Sequence, residues 1–243
     1  MGAEPAPPPW LAQGKARAEA VQEIFGTVAP SYDKVNAWMS LGRHQAWRRA
    51  AVRTLDLKAG DHVLDICCGT GDFLPLLREA VGGGGRVIGL DFARPMLVQA
   101  QAKEATALLG VADALRLPVP DASLDGVTIG WGLRNISDPK AALVEFARVL
   151  KPGGKLAVLE MSRPEAPLIG PVADWTCRFA IPRLGRLAGF GREYDYLMES
   201  TARWMTRKEL TDALVQAGFG EVRIRNFMFG NICLHTATRK SHS

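Results

Sequence analysis

A chain of 243 residues, 47% of them hydrophobic, can bury a full core and fits one large α/β domain. The net charge of +5 is spread along the chain without a dense Lys/Arg tract, which gives little support for a nucleic-acid partner. Four cysteines form no disulfide or metal-ligand pattern, no apolar run approaches the ~20 residues of a membrane-spanning helix, and no secretion signal is seen, so we expect a cytoplasmic protein without a metal site.

The chain opens with two segments of different character. Residues 1–14 hold four prolines and two glycines, which disfavours helix and strand and predicts a flexible leader. Residues 15–243 are predicted to form one domain. Its first part has a helical pattern over 15–24, then a polar and aromatic stretch, then a helix from His44 to Leu55. We expect these residues to form an N-terminal helical cover.

The first predicted strand ends in a turn that contains two glycines. The apolar residues Val63, Leu64 and Ile66 are followed by Gly69-Thr70-Gly71 and then by a helix that we expect to start near Asp72. Glycines there let a ligand approach the backbone closely. The carboxylate of Asp72 argues against a dinucleotide pyrophosphate at this position, although Asp72 could also serve as the N-cap of the helix. The turn therefore predicts a nucleotide-like ligand other than NAD.

An acidic residue ends the second predicted strand. Arg86–Leu90 is an apolar run, and Asp91 follows it about twenty residues after the glycines, where a carboxylate can accept hydrogen bonds from both hydroxyls of a ribose. Together with Asp65 on the first strand, Gly69, Thr70 and Gly71, this pattern resembles the S-adenosylmethionine site of class I methyltransferases. S-adenosylmethionine has a cationic amino-acid end and a ribose, and both suit acidic side chains.

Two further strand ends are predicted to face the same cleft, because ligands of open α/β sheets bind at the carboxyl ends of the strands. After a helix over 94–104, a third strand over 107–112 leads to Asp113 and Ala114, which we place beside the adenine. A fourth strand over 124–129 leads to Gly130 and, a few residues later, to Arg134 and Asn135.

The last third of the chain predicts how the sheet is completed. Asp138 caps a helix, residues 155–162 form a fifth strand, and the proline-rich stretch 164–205 is read as an inserted helical lid. Thr206 caps a last helix, and strands over 222–227 and 232–238 pair as a closing hairpin. The predicted fold is the class I methyltransferase fold, an α/β architecture with a mostly parallel seven-stranded sheet closed by an antiparallel hairpin.

Several blocks of sequence are similar to one family, the ubiquinone/menaquinone biosynthesis C-methyltransferases. The blocks are Tyr32-Asp33, Asn36, Ser40, His44 and Trp47 at the family's spacing, the unbroken run 148–162, and the shorter segments 132–135, 181–185 and 194–200. They span the chain from about Lys15 onwards.

The resemblance implies transfer of the S-adenosylmethionine methyl group to a ring carbon of a polyprenylated quinol, with demethylmenaquinol as the expected substrate. It implies that Arg134 and Asn135 hold a quinol oxygen as it gains negative charge, and that Tyr32 or His44 positions the substrate or relays a proton. A contact from Gly130 to the cofactor would be made by its backbone.

Other interpretations stay open at this point. Arg134 could be a structural ion-pair partner, and His44 could simply pack in the cover. The substrate could be a benzoquinol or another small molecule, and the chain could bind S-adenosylmethionine without catalysis inside a biosynthetic complex. The arginines of residues 164–192 could touch the inner face of a membrane, and the sequence is compatible with a homodimer. An Asn/Asp-Pro-Pro-aromatic box, typical of nucleic-acid methyltransferases, does not follow the fourth strand.

Overall fold

A computed structural model describes Ala20, Glu23 and residues 32–40, 42–163 and 191–241. Within these residues seven strands form one sheet in the order β3-β2-β1-β4-β5-β7-β6. The strands are β1 (His62–Ile66), β2 (Arg86–Asp91), β3 (Leu108–Val111), β4 (Leu124–Gly130), β5 (Leu150–Met161), β6 (Phe219–Phe227) and β7 (Ile232–Arg239). Strands β1 to β5 are parallel, and β7 pairs antiparallel with both β5 and β6. The predicted class I methyltransferase sheet with its closing hairpin is confirmed.

Helices pack on both faces of this sheet. They are α1 (Tyr32–Met39), α2 (His44–Thr54), α3 (Leu74–Val81), α4 (Arg94–Lys103), α5 (Pro139–Val149), α6 (Gly191–Ala202) and α7 (Arg207–Gln216). None of the helices described is both long enough and apolar enough to span a bilayer. The predicted leader and residues 164–190 of the predicted lid lie outside the described residues, and α6 forms the part of the lid that is described.

Alternation along the strands divides the core into two apolar layers. On β1, Leu64 and Ile66 face the layer that contains Phe146 of α5, whereas Val63 faces the layer that contains Trp47 of α2. Successive strand residues point to opposite faces, so a five-residue strand can serve both layers only if it is apolar almost throughout. Three of the five residues of β1 are accordingly apolar, and the buried carboxylate of Asp65 interrupts the run.

The order of the strands creates the position for a site. Moving outward from β1, the chain goes to β2 and β3 on one side and to β4 and β5 on the other, so β1 and β4 flank the point where the strand order reverses. Crevices form at such a point, outside the carboxyl ends of the strands. Ile66, Asp91 and Gly130 end β1, β2 and β4 at this edge.

The boundaries of β3 and β5 differ from those predicted, and in both cases strand pairing gives the reason. Strand β3 is confined to Leu108–Val111, and both end residues are more than half exposed because β3 is at the sheet edge with β2 as its partner. Strand β5 begins at Leu150 rather than at Lys155, since Leu150 pairs with Leu124 before an irregularity in the β4–β5 register. The Pro152-Gly153-Gly154 segment therefore lies inside an irregular strand.

The two predicted helix caps, Asp138 and Thr206, are confirmed. Asp138 accepts from the amide of Ala141 at the start of α5, and Thr206 forms a reciprocal capping box with Glu209 at the start of α7. These bonds satisfy backbone amides that the first turn of a helix leaves without a partner.

Candidate functional site

The turn between β1 and α3, residues 67–72 and hereafter the glycine turn, is shaped by close packing. Gly71 has a φ of 83°, and a Cβ atom placed on it would lie 2.8 Å from Cβ of Ala100 on α4. A side chain is therefore excluded both by conformation and by space. The glycine turn can lie directly on α4 because Gly71 has no side chain.

Asp91 ties the glycine turn to the end of β2. Its Oδ2 accepts from the amide of Gly69 at 2.9 Å, and its Oδ1 accepts from the amide of Ala93 at 2.8 Å. Burial raises the pKa of Asp91, and the two backbone donors oppose that rise. The carboxylate thus lies beneath the cleft with both oxygens directed by the backbone.

A cleft of about 390 Å³ opens at the carboxyl ends of β1, β2 and β3. Four of the predicted site residues line it, namely Asp91, Asp113, Ala114 and Asn135. Apolar walls come from residues such as Ile66, Leu90 and Phe92. Asp113 also accepts from the amide of Leu115, which fixes the loop after β3. An apolar cleft with a few convergent polar groups is typical of a small-molecule site.

Asp65, at the end of β1 before the glycine turn, has one carboxylate oxygen that no described residue hydrogen-bonds. Its Oδ1 accepts from the hydroxyl of Thr128 on β4 at 2.7 Å, while its Oδ2 is buried without a hydrogen-bond partner among the residues that the structure describes. Burial raises the pKa of Asp65 to about 8. A buried carboxylate with a spare oxygen fits a cationic ligand group, and the ammonium group of S-adenosylmethionine is such a group.

The cover is fastened to the glycine turn by Lys103, the last residue of α4. Its Nζ lies 2.7 Å from Oδ2 of Asp33 on α1 and 2.5 Å from Oδ1 of Asp72. Thr70 donates to Asp33 at 2.6 Å and accepts from Lys103 at 3.0 Å. The hydroxyl of Thr70 is therefore hydrogen-bonded to Asp33 of the cover, and Thr70 does not line the cleft.

Asp72 also receives a cation from the second cover helix. Arg48 Nη2 lies 3.0 Å from Asp72 Oδ2. Burial opposes ionisation of Asp72, but Arg48 and Lys103 outweigh it, and the pKa of Asp72 is lowered. The expectation that Asp72 could be an N-cap is wrong, because α3 begins at Leu74 after Phe73 and has no side-chain cap.

His44 is neutral in this network. Arg48 Nη1 lies 2.6 Å from its Nδ1, and since a guanidinium can only donate, Nδ1 accepts and the ring proton is on Nε2. Burial, reinforced by Arg48, lowers the pKa of His44. The guanidinium of Arg48 also lies over the Trp131 ring, 4.7 Å from its centroid. His44 is thus connected to the glycine turn through Arg48 and Asp72.

Arg134 is buried against the end of β5. Its Nη1 donates to Oε1 of Glu160 at 2.5 Å and to the carbonyl of Trp131 at 2.7 Å. Only 5% of its side chain is exposed, and it is not among the residues that line the cleft. The guanidinium therefore lies behind the wall that Asn135 forms, and a structural ion pair is part of its role.

Asn135 faces the cleft with its amide held from two sides. Its Nδ2 donates to the carbonyl of Trp131 at 3.2 Å, and its Oδ1 accepts from the hydroxyl of Tyr196 on α6 at 2.6 Å. Trp131 has a φ of 55°, a strained conformation for a bulky residue, and its carbonyl serves both Arg134 and Asn135. The short turn after β4 thus arranges the two residues as a pair.

The remaining predicted residues are placed as follows. A Cβ on Gly130 would lie 2.7 Å from Cε2 of Phe73, so Gly130 is a packing position between β4 and the start of α3. Tyr32 is the first residue of α1, and its side chain lies outside the described part of the chain. Within the described residues no group of three His, Cys, Asp or Glu side chains could hold a metal ion.

Sequence reasoning missed Lys103, Arg48, Glu160 and Tyr196 as parts of the site. For Glu160 there was a signal, because an acidic residue inside the apolar run of a central strand requires a partner. For Lys103 and Arg48 there was none, since both occupy ordinary positions on amphipathic helices.

The fold and the acidic cleft define a class I S-adenosylmethionine-dependent methyltransferase. Solved structures with this fold include a Haloferax volcanii putative methyltransferase complexed with the Trm112 activator (TM-score 0.66, 20% identity, 89% of this chain and 98% of that one). A Thermotoga maritima S-adenosylmethionine-dependent methyltransferase has a TM-score of 0.63 at 23% identity, over 90% of this chain and 99% of that one. These likenesses concern the fold alone.

Sequence comparison is more specific. The chain is 42% identical over 228 residues to a demethylmenaquinone methyltransferase of Lactiplantibacillus plantarum, covering 91% of this chain and 96% of the relative. It is 37% identical over 237 residues to one of Staphylococcus epidermidis, covering 96% and 98%. The ubiE/COQ5 methyltransferase family model matches residues 13–239, and the chain belongs to that family. S-adenosylmethionine is its cofactor.

Proposed function

We propose that this chain methylates a ring carbon of demethylmenaquinol, a naphthoquinol with a polyprenyl tail, to give menaquinol. The observation that carries the proposal is the identity of 37% to 42% with demethylmenaquinone methyltransferases over nearly the whole chain. Asn135 on the wall of the cleft supports it, because its amide group can form a hydrogen bond with an oxygen of the quinol ring.

Four groups of residues at or beneath the cleft are assigned to the cofactor. Asp91 would accept from the ribose hydroxyls, Asp113 and Ala114 would lie beside the adenine, and Asp65 would meet the ammonium group. The glycine turn would pass along the cofactor with its backbone, since Thr70 is held by Asp33 and Lys103. When bound, the cofactor supplies an electrophilic methyl group.

The acceptor carbon must become electron-rich for this transfer. Loss of the proton from a neighbouring ring hydroxyl makes it so, and positive charge or an N–H donor near that oxygen favours the loss. Asn135 would donate from the wall of the cleft, and Arg134 would add positive charge from behind it. His44, neutral with its proton on Nε2, and Tyr32 on α1 would position the substrate or relay the proton from the cover side.

A polyprenylated quinol resides in a membrane, so the chain must meet a lipid surface. The arginine-rich stretch proposed for this contact, residues 164–192, lies almost wholly outside the described residues. Binding to anionic vesicles at low salt, lost at high salt, would support the contact, and equal binding to neutral vesicles would contradict an electrostatic one.

The test is methyl transfer from labelled S-adenosylmethionine by the purified protein. Reduced demethylmenaquinone and a reduced demethylated methoxybenzoquinone are offered in parallel, and cofactor binding is measured separately by calorimetry. Label in the naphthoquinol product alone is expected. Label in the benzoquinol alone would change the substrate, and label in neither with intact cofactor binding would favour a non-catalytic scaffold.

A further inference from the structure

Helix α6 reaches the catalytic pair through two polar side chains one turn apart. The Tyr196 hydroxyl donates to Asn135 Oδ1 at 2.6 Å, and Arg134 Nε donates to the hydroxyl of Ser200 at 3.4 Å. Tyr196 is only 5% exposed. Residues four apart lie on the same face of a helix, so both contacts belong to one face of α6. This face therefore packs on the turn that carries Arg134 and Asn135.

The two partners of Asn135 define which way its amide points. The Trp131 carbonyl can only accept, so the amide nitrogen must face it at 3.2 Å. The oxygen then faces Tyr196, whose hydroxyl must donate. The opposite orientation would bring the Asn135 oxygen against the Trp131 carbonyl, and two acceptors repel. The Trp131 carbonyl thus selects the orientation of the amide, and the Tyr196 hydroxyl holds the amide oxygen in that orientation.

That orientation has a consequence at the cleft. An amide nitrogen carries two hydrogens, and the contact with Trp131 uses one of them. Because Asn135 lines the cleft, the second hydrogen is available to a ligand oxygen there. With the amide turned over, the cleft would instead meet a carbonyl oxygen, which repels an oxygen that is becoming negative.

We propose that Tyr196 is a positioning residue for methyl transfer, which fixes the Asn135 amide so that an N–H group faces the reacting quinol oxygen. The inference rests on the proposed function, because it concerns the acceptor oxygen of that reaction. Tyr196 is not among the residues that line the cleft, and the proposed effect on the reaction passes through Asn135.

This indirect role predicts specific changes in kcat for the single and double variants. Loss of one donor to a developing oxyanion costs roughly 10²-fold to 10³-fold in kcat. Tyr196→Phe keeps the Asn135 donor and removes the hydroxyl that holds its amide, so a smaller loss of about 10-fold is expected by the same reasoning. If Asn135 is already absent, the Tyr196 hydroxyl has nothing to orient, and its removal should cost nothing more.

The experiment is a double-mutant cycle with Tyr196→Phe, Asn135→Ala and both together. The kcat for reduced demethylmenaquinone, the Kd for S-adenosylmethionine and the Tm are measured for each protein. A lowered kcat for Tyr196→Phe, an unchanged cofactor Kd and no additional loss in the double variant are expected. An additional loss in the double variant equal to that of the single one, or a normal kcat for Tyr196→Phe, would overturn the inference.

Two further variants separate orientation from stability. Asn135→Asp keeps an acceptor for Tyr196 but has no N–H, so it should lose as much activity as Asn135→Ala. Lys208→Met removes an exposed ion pair with Asp212 on α7 and should leave kcat unchanged. If the unmodified protein methylated no quinol at all, the proposed function would fail and the inference with it, whereas an active protein with an additive cycle would refute the inference alone.

Discussion

Arg134 and Glu160 form an ion pair in which 5% and 1% of the two side chains are exposed. Glu160 also accepts from the backbone amide of Arg134 at 3.3 Å, so one carboxylate orients both the side chain and the main chain of the turn after β4. Removing two charges from water is costly, and such a pair is tolerated only with good geometry and additional hydrogen bonds. The pair therefore fixes the position from which Asn135 enters the cleft.

Glu160→Gln should destabilise the protein strongly, because it leaves the buried Arg134 guanidinium without its counter-charge. The expected loss in the free energy of unfolding is about 3–5 kcal/mol, measured by urea denaturation. Lys208→Met, which breaks an exposed pair with Asp212 on α7, should leave the free energy of unfolding nearly unchanged. Similar losses in the two variants would show that the buried pair contributes no more than a surface pair.

Asp65→Asn should change how stability depends on pH. Burial raises the pKa of Asp65 to about 8 in the folded protein, above its unfolded value, so the folded state holds a proton that the unfolded state loses. The contribution of Asp65 is complete below the unfolded pKa and is lost as pH rises through about 8.

The variant should therefore gain Tm relative to the unmodified protein at pH 8.5 and not at pH 4, as calorimetry in the absence of S-adenosylmethionine can measure. Asp212→Asn, an exposed carboxylate on α7, serves as the matched control and should show no such trend. A Tm difference for Asp65→Asn that stays constant between these pH values would mean that the carboxylate is ionised throughout.

Lys103→Met should loosen the cover, since Asp33 and Asp72 lose the cation that joins them. The expected cost is about 1–3 kcal/mol, typical of a hydrogen-bonded charge that is only partly exposed. Hydrogen exchange should report faster exchange in α1 than in the unmodified protein, with little change in β5. Unchanged protection of α1 would show that apolar packing alone holds the cover.

Gly71→Ala should destabilise the protein more than Gly60→Ala. Both glycines have positive φ, but a Cβ on Gly60 meets nothing within 4 Å, whereas one on Gly71 would lie 2.9 Å from the Cα of Ala100. Conformational strain costs each variant about 1–2 kcal/mol, and the clash adds roughly 1–3 kcal/mol to Gly71→Ala. Equal midpoints in urea would show that α4 moves freely away from the turn.

The parts of the fold that sequence predicts are those fixed by neighbouring residues. The strand that ends at Asp91, the cap at Thr206 and the hairpin into β7 each depend on a few adjacent positions, and each is confirmed. The irregular start of β5 was missed because Leu150 follows the last helical residue directly, and only pairing with Leu124 makes it a strand residue.

The residues of the site also fall into those that sequence predicts and those that it does not. Asp91, Asp113, Ala114 and Asn135 line one cleft because they follow strand ends, which topology gathers at one edge. The contact from Thr70 to Asp33 joins residues 37 positions apart, and it depends on how the cover is placed on the glycine turn. No local pattern encodes that placement, so the roles of Thr70 and Lys103 became evident only from the structure.

The placement of β7 between β5 and β6 makes the last of the seven strands the link that joins β6 to the rest of the sheet. Strand β6 precedes β7 in the sequence, yet its neighbour in the sheet is β7 and not β5. Without residues 232–239, β6 has an unpaired backbone, and the edge of β5 that pairs with β7 remains open. A chain truncated before β7 would therefore expose two strand edges at once and be prone to aggregation.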